Sequence, residues 1–547
     1  MSNHTLSLSQ HPTFKHPKGP VVLIIMDGIG IGKSNNSNAI HLAKTPCIDT
    51  FSSHTLYTTL KAHGTAVGMP TDNDMGNSEV GHNTLGAGRR FDQGATLVQN
   101  AIKSNTLFQG NTWQSLIQNI LHHNSTLHFI GLLSDGNIHS HIDHLKTMIT
   151  QASQEKIKKI RIHILLDGRD VGERTALAYI KNLEIHLDTF NHTGKDYQIA
   201  SGGGRMITTM DRYNADWRIV EQGWKTHVLG QGPYFNSAKE AVQYAYDNDP
   251  KLIDQYIPPF VIAKDNHPIG TIQNNDSVIC FNFRGDRAIE LTQAFESTQF
   301  THFNRQRHPA VFYAGMIQYD GDLQLPKHYL VDPTLIKNPL SHYLCHNNIT
   351  SFAISETQKY GHVTYFWNGN NSGYINKNLE TYLEIPSDTI PFDQAPKMKA
   401  SEITEKTIEL LNSGNYQFGR VNFPNGDMVG HTGVMDAVIK SVEETDHSVQ
   451  KIIDKVNNLN GITIVLADHG NADEMFTIDK NGVKHNKTSH TLNPVPCVIF
   501  DSEYTGNYVI NTTIQEPGLA NVAATICNLL GFSAPDDYET SLIIPNE

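Results

Sequence analysis

Asp427 and His431 stand four residues apart in Asn425-Gly426-Asp427-Met428-Val429-Gly430-His431, after an apolar run at Phe418–Phe423. A helical turn over this segment places a carboxylate and an imidazole on one face. Asp468-His469 closes another apolar run on a glycine-containing loop that can turn both side chains inward. Ser489-His490-Thr491 supplies a third imidazole, and Asp27 ends the first apolar run. The chain carries 29 histidines, so no single one is diagnostic and context must select these three. Three carboxylates and three imidazoles form a mixed oxygen and nitrogen donor set, suited to Mn²⁺, Zn²⁺ or Co²⁺ rather than to Ca²⁺. Gathered at strand ends, they would make a dinuclear site, whose usual chemistry is in-line displacement on phosphorus.

Such chemistry needs a nucleophile. Ser78 lies in the glycine-flanked Gly76-Asn77-Ser78-Glu79-Val80-Gly81, just before His82. A helix starting there would aim N–H groups and the positive end of its dipole at an anion. Metal coordination would lower the pKa of the serine hydroxyl and supply an alkoxide near neutral pH. The same serine also reads as an ordinary helix N-cap, and local sequence leaves both readings open.

Three familiar signatures fail on counting. Gly28-Ile29-Gly30-Ile31-Gly32-Lys33-Ser34 ends like a phosphate-binding P-loop, but position 27, where its first glycine belongs, is Asp. The third glycine of a dinucleotide fingerprint would fall on Lys33. Around Ser78 the two glycines are one residue too far apart for a hydrolase nucleophile elbow. An Arg-His-Gly phosphohistidine motif is absent as well, because Arg307-His308 runs into Pro309.

The elements that would position these residues are short apolar runs, each ending in Asp, Gly or Arg. They are Val21–Met26, Leu127–Leu133, Ile162–Leu166, Val278–Phe283 and Ile462–Ala467. Such runs, alternating with amphipathic stretches, predict buried parallel strands with crossover helices. One predicted helix is Ala437–Val456, with Val438, Val442, Val449, Ile453 and Val456 on a stripe. In doubly wound sheets, functional groups lie beyond the carboxyl ends of strands, where the polar residues named above fall. Gly86–Arg90 and Tyr319–Pro333 read as linkers, and Asn35–Asn38 and Asn368–Asn371 as surface loops.

At 547 residues the chain is too long for one ordinary domain. Its 42 Lys and Arg against 55 Asp and Glu give a net charge of −13, which argues against general nucleic-acid binding. Five cysteines without a C-x-x-C argue against a disulfide framework or thiolate zinc site and fit a reducing compartment. Residues 1–19 are polar, without a signal peptide's apolar stretch or a transit peptide's arginines, and Val21–Met26 is far too short to span a bilayer. A cytoplasmic protein without membrane or nucleic-acid partners is expected.

With Met75-Gly76-Asn77-Ser78-Glu79-Val80-Gly81-His82, the chain resembles the cofactor-independent phosphoglycerate mutases of the alkaline phosphatase superfamily. The resemblance runs from about Val21 to about Gly531 and includes Ile25-Met26-Asp27-Gly28, Leu133-Ser134-Asp135-Gly136, His139-Ser140-His141 and Asp167-Gly168-Arg169-Asp170. It continues through Asn282–Arg287, Glu356-Thr357-Gln358-Lys359-Tyr360, Ala467–Ala472 and Ser489-His490-Thr491. It implies an α/β fold, with an alkaline phosphatase-like metal domain and an inserted α/β substrate-binding domain. Asp27, Ser78, Asp468 and His469 would surround one divalent ion, and Asp427, His431 and His490 the other. The ions would be Mn²⁺, with Co²⁺, Zn²⁺ or Mg²⁺ as alternatives. Ser78 would carry the phosphoryl group. His139, Arg169, Asp170, Arg205, Arg212, Arg284, Arg287 and Lys359 match substrate-contacting positions. Between Arg205 and Arg212, Met206–Asp211 is one residue longer than bacterial members usually have, as in the longer plant-type members.

Phosphoglycerate carries a carboxylate and a phosphate, so five arginines near strand ends or beside Gly202-Gly203-Gly204 suit an anion pocket. The metal-associated residues come only from the two ends of the sequence. The expected division is therefore 1–88 with 326–547 as the metal domain and 89–325 as the insert, with the active site between them. A monomeric isomerase interconverting 3-phosphoglycerate and 2-phosphoglycerate is expected. Another phosphatase, sulfatase or phosphomutase of the superfamily is the first rival, and a non-catalytic binding protein of the same fold the second.

Overall fold

In the computed structural model, which describes residues 6–211, 216–320, 324–332, 336–478 and 482–546, the apolar runs form strands. Val21–Met26 and Leu127–Leu133 are buried at every position, as a sheet covered on both faces requires. A fully buried Val, Leu or Ile contributes about 1.5–3 kcal/mol, and this apolar layer offsets the cost of carrying carboxylates buried at the strand ends. The chain divides into two compact units, Met1–Gln93 with Leu335–Glu547, and Gly94–Thr334.

The first unit holds a seven-stranded sheet in the order Glu380–Ile385, Ser351–Glu356, Phe418–Phe423, Val21–Met26, Ile462–Leu466, Val495–Asp501 and Tyr57–Leu60. The first five run parallel, while Val495–Asp501 and Tyr57–Leu60 add antiparallel pairings at one edge. The long helix is Met435–Asn458, two residues longer at each end than the expected Ala437–Val456, and it buries Val438, Val442, Val449, Ile453 and Val456. In the second unit, Ser277–Cys280, Leu127–Leu133, Lys159–Leu166 and Asp196–Gly204 are parallel neighbours, with Phe312–Ile317 and Tyr329–Val331 beyond Ser277–Cys280. Phe260–Lys264 pairs antiparallel with Asp196–Gly204 on the other side.

Several expectations need correction. Gly86 and Ala87 are not linker: they close the helix Ser78–Ala87, and a Cβ on Gly86 would lie 2.0 Å from the Trp367 carbonyl oxygen. That glycine serves close packing rather than flexibility. Of Tyr319–Pro333, residues 321–323 and 333 lie outside the described residues, while Tyr329–Val331 is a strand and Tyr319 is buried. Asn368 is not a surface residue either, since its buried amide donates to the Tyr382 hydroxyl.

Candidate functional site

Strand register assembles the site in the first unit. Met26 pairs with Phe423, Ile25 with Leu466 and Ile354 with Val421, so four neighbouring parallel strands end at one level. Asp27 follows the first strand directly, and Asp427 and His431 sit on and just after the short helix Asn425–Gly430. Asp468 and His469 follow Ile462–Leu466, and Lys359 lies on the helix Thr357–Gly361 after Ser351–Glu356. Each is therefore delivered to the carboxyl edge of the sheet, where open α/β sheets bind ligands.

His431 Nδ1 donates to the Thr488 carbonyl at 2.5 Å, and His490 Nδ1 to the Gly76 carbonyl at 2.8 Å. A carbonyl only accepts, so each ring, when neutral, turns a bare Nε2 inward. The two Nε2 atoms are 3.1 Å apart, and each lies 3.0 Å from Asp427 Oδ1. Three lone-pair atoms thus converge where a cation would satisfy them, with the backbone carbonyls orienting the rings. Beside them, ligand atoms of Asp427, His469 and His490, and of Asp27, Asp468 and His469, form two buried groups, each within 4.8 Å. Both carboxylate oxygens of Asp468 are buried without a hydrogen bond from another described residue. These features and the carboxylate and imidazole chemistry fit the binding of divalent metal.

Ser78 Oγ lies 2.9 Å from His469 Nε2 and 3.2 Å from Asp27 Oδ1, and the Lys359 ammonium donates to it. Capping falls to the residue before: Asn77 Oδ1 accepts the N–H groups of Glu79 at 3.0 Å and Val80 at 3.1 Å. The serine hydroxyl is thereby left for chemistry. Lys359 Nζ sits 2.8 Å from Asp27 Oδ2 and 2.8 Å from Asp427 Oδ2, all three residues being buried. Burial, then the neighbouring Asp468, raises the Asp27 pKa, and burial pushes Asp468 up to about 6. Burial also acts to raise Asp427, but Lys359 and His431 outweigh it and hold that carboxyl well below the usual range. The His469 imidazole is kept well below its ordinary pKa by burial and by His490.

The second unit gathers another cluster by the same device. Leu133 aligns with Leu166 and Leu166 with Gly204, so His139, Asp167, Asp170 and Arg205 follow adjacent strand ends. One guanidinium nitrogen of Arg205 donates to Asp167 Oδ1 at 2.8 Å and Asp170 Oδ2 at 2.5 Å. Its other terminal nitrogen donates to His139 Nε2 at 2.7 Å. Burial would depress the Arg205 pKa, but Asp170 and Asp167 outweigh it and keep the group cationic. Burial and Arg205 hold His139 well below its ordinary pKa, so a neutral ring accepts from the guanidinium. Arg284 Nε lies 3.2 Å from Asp286 Oδ1, and Arg287 donates to the Met210 carbonyl at 2.5 Å. The backbone N–H groups of Arg169 and Asp170 both donate to Asp167 Oδ1, and the Arg169 side chain is half-buried. Arg212 lies outside the described residues.

Several contributors were not singled out from sequence. His82 donates from Nδ1 to the Ser78 carbonyl at 2.8 Å and lies 3.4 Å from Asp468 Oδ2; its place one helical turn beyond Ser78 was a usable signal. Asn422 donates to Asp27 Oδ2 at 3.1 Å, and Asn471 lies 3.4 Å from Asp427 Oδ1. The near-miss glycine loop also finds its reason. Cβ atoms on Gly30 and Gly32 would lie 2.6 Å and 2.3 Å from Asp473, whose carboxylate binds Thr491 beside His490. Those glycines permit close packing, not phosphate binding.

A model of the metalloenzyme superfamily matches residues 19–534. A probable 2,3-bisphosphoglycerate-independent phosphoglycerate mutase of Leptospira interrogans is 52% identical over 98% of this chain and 99% of its own. The Trypanosoma brucei brucei protein named 2,3-bisphosphoglycerate-independent phosphoglycerate mutase is 48% identical, also over 98% of this chain and 99% of its own. The crystal structure of Leishmania mexicana phosphoglycerate mutase at low cobalt concentration matches with a TM-score of 0.96 and 48% identity, covering 99% of this chain and 100% of that one.

Proposed function

The chain belongs to the 2,3-bisphosphoglycerate-independent phosphoglycerate mutases and is a glycolytic isomerase interconverting 3-phosphoglycerate and 2-phosphoglycerate; we propose that it works through a phosphoserine on Ser78. The observation that carries this reading is the Ser78 hydroxyl itself. It is released from capping by Asn77, and it faces His469, Asp27 and Lys359 at the edge of a carboxylate and imidazole cluster.

In this reading Asp27, Ser78, Asp468 and His469 hold one divalent ion, and Asp427, His431 and His490 the other. Bound there, the ions would acidify the serine hydroxyl and neutralise charge on the phosphoryl group. Mn²⁺ is the ion we assign, with Co²⁺, Zn²⁺ and Mg²⁺ as alternatives. Ser78 Oγ attacks phosphorus as its proton leaves, and the glycerate oxygen that loses the phosphoryl group takes up a proton. Lys359 donates to the phosphoryl oxygens as charge builds on them. His139, Arg169, Asp170, Arg205, Arg212, Arg284 and Arg287 form the set that binds the glycerate and its carboxylate, with guanidinium forks suited to both anionic groups. Some act directly, whereas Arg205, already held by two carboxylates, orients His139. The retained glycerate turns and takes the phosphoryl group back on its other hydroxyl, restoring Ser78. Every group used lies on one chain, and we read the enzyme as a cytoplasmic monomer. No helix among the described residues is long and apolar enough to cross a membrane.

An enolase-coupled assay without added bisphosphoglycerate tests the proposal. Activity should disappear on chelation and return with Mn²⁺ or Co²⁺ better than with Ca²⁺, because imidazoles are poor ligands for a hard cation. Full activity in chelator-washed, metal-free protein would defeat the dinuclear reading.

A further inference from the structure

Inside the second unit, to which none of the metal-ligand candidates belongs, a line of polar side chains crosses the sheet. Asp276 Oδ2 lies 3.1 Å from His128 Nε2, and His128 Nδ1 lies 3.0 Å from His163 Nε2. His163 Nδ1 lies 2.7 Å from Ser201 Oγ, which lies 2.7 Å from His227 Nδ1. His227 Nε2 ends the line at Thr209 Oγ1, 3.1 Å away. All these side chains are buried.

Chemistry fixes the direction of every hydrogen bond. Asp276 already accepts the N–H groups of Thr126 and Gln273, as a carboxylate does, so His128 donates to it from Nε2. Burial holds His128, His163 and His227 below the ordinary imidazole range, which keeps the rings neutral. Each neutral ring has one donor and one acceptor. Hence His163 donates to His128, Ser201 to His163, His227 to Ser201, and Thr209 to His227. A chain with one donor per link has no slack, and the Thr209 hydroxyl is its only free end.

Thr209 is an unusual residue to find there. Its φ is +75°, a left-handed conformation that a β-branched side chain adopts at a cost. Such a conformation persists only where surrounding contacts over-determine it. Its N–H donates to the Ile219 carbonyl at 2.9 Å, and Gly223 clears the space, since a Cβ there would lie 2.0 Å from Thr209 Oγ1. The next residue is Met210, whose carbonyl accepts from Arg287, and the one after is Asp211.

We infer that the Asp276–His128–His163–Ser201–His227 chain is a positioning device: it locks Thr209 in its left-handed turn, so that the Met210 carbonyl orients the Arg287 guanidinium. The inference rests on the proposed function in taking Arg287 to bind the glycerate substrate. Thr209 and His227 are positioning residues acting through Arg287, and they touch no reacting atom.

The test compares Thr209→Val, which keeps the shape and removes the hydroxyl, with Thr209→Ser, which restores it. Losing the buried hydrogen bond from Thr209 to His227, and with it the fixed position of the Met210 carbonyl, should raise the KM for 3-phosphoglycerate about tenfold, while kcat changes less than about threefold. Thr209→Ser should return KM to within about twofold of the unmodified enzyme. Ser201→Ala breaks the chain one link from the loop; it should raise KM in the same direction, and it serves if Thr209→Val does not fold. Amide exchange over residues 204–211 should quicken in Thr209→Val and slow again in Thr209→Ser, whatever the activity. An unmodified protein without mutase activity would overturn the functional reading while leaving the exchange result to judge the device. An active enzyme whose Thr209→Val and Ser201→Ala variants lose only thermal stability, with KM and local exchange unchanged, would overturn the inference.

Discussion

Replacing Lys359 with methionine removes an ammonium group from the centre of the carboxylate cluster while nearly preserving side-chain length. Lys359 is 2% exposed, and its Nζ lies 2.8 Å from both Asp27 Oδ2 and Asp427 Oδ2. Burial acts to lower its pKa, but Asp27, Asp427 and Asp468 outweigh that and keep it charged. Breaking a buried pair from one side costs about 3–5 kcal/mol, because the stranded charges remain. For a unit of this size each kcal/mol moves the unfolding midpoint by about 2–4 °C, so the drop should be roughly 6–20 °C in chelator. With Mn²⁺ added, two divalent ions would supply the missing positive charge, and the gap between Lys359→Met and the unmodified protein should shrink to less than half. Calorimetry with chelator and then with excess Mn²⁺ reads both numbers. The work belongs at about pH 8, where the carboxyls cannot escape the penalty by taking up protons. An equal drop with and without metal would refute the reasoning, since Lys359 and the ions would then not share one charge cluster.

Two further outcomes follow from the same geometry. Asn77→Ala removes the cap of the Ser78–Ala87 helix and should cost about 1 kcal/mol; it should also lower kcat by loosening Ser78, whereas Asn77→Asp retains both, as denaturant titration and the coupled assay would register. Burial pushes the Glu356 carboxyl up to about 7 from 4.5, so the folded protein holds an extra proton between those values. Its contribution is full below the unfolded value and is lost as pH rises through the folded one. Stability should therefore fall by roughly 3 kcal/mol between these limits. Urea titrations at about pH 5 and about pH 7 should show Glu356→Gln flattening that decline, and an unchanged slope would count against the buried carboxyl.

Much of the architecture can be read from strand ends. An apolar run that stops at a charged residue announces a parallel strand and a polar edge, which is why Asp27, Asp468 and Arg284 are legible from local pattern. The register that levels Met26 with Phe423 then brings together residues about 400 positions apart. What stayed hidden is lateral. Asn77 and Ser78 are both good caps, and only the direction of the Glu79 and Val80 N–H groups decides between them. His128, His163 and His227 look like three of 29 scattered histidines until two neighbouring strands align the first pair and the helical turn Trp224–Val228 brings the third to Ser201. The sequence gives Arg205 no sign that Asp167 and Asp170 occupy its guanidinium, because those carboxylates arrive from the adjacent strand end.

The central claim is that Ser78 carries the phosphoryl group between the two hydroxyls of one glycerate molecule. Metal-loaded enzyme mixed with phosphate-labelled 3-phosphoglycerate, stopped within a turnover and cut into peptides, tests it directly. The label should appear on the peptide containing Ser78, and it should be absent from chelated enzyme and from Ser78→Ala. A catalytically active enzyme whose label appears on another residue, or on none, would contradict the account.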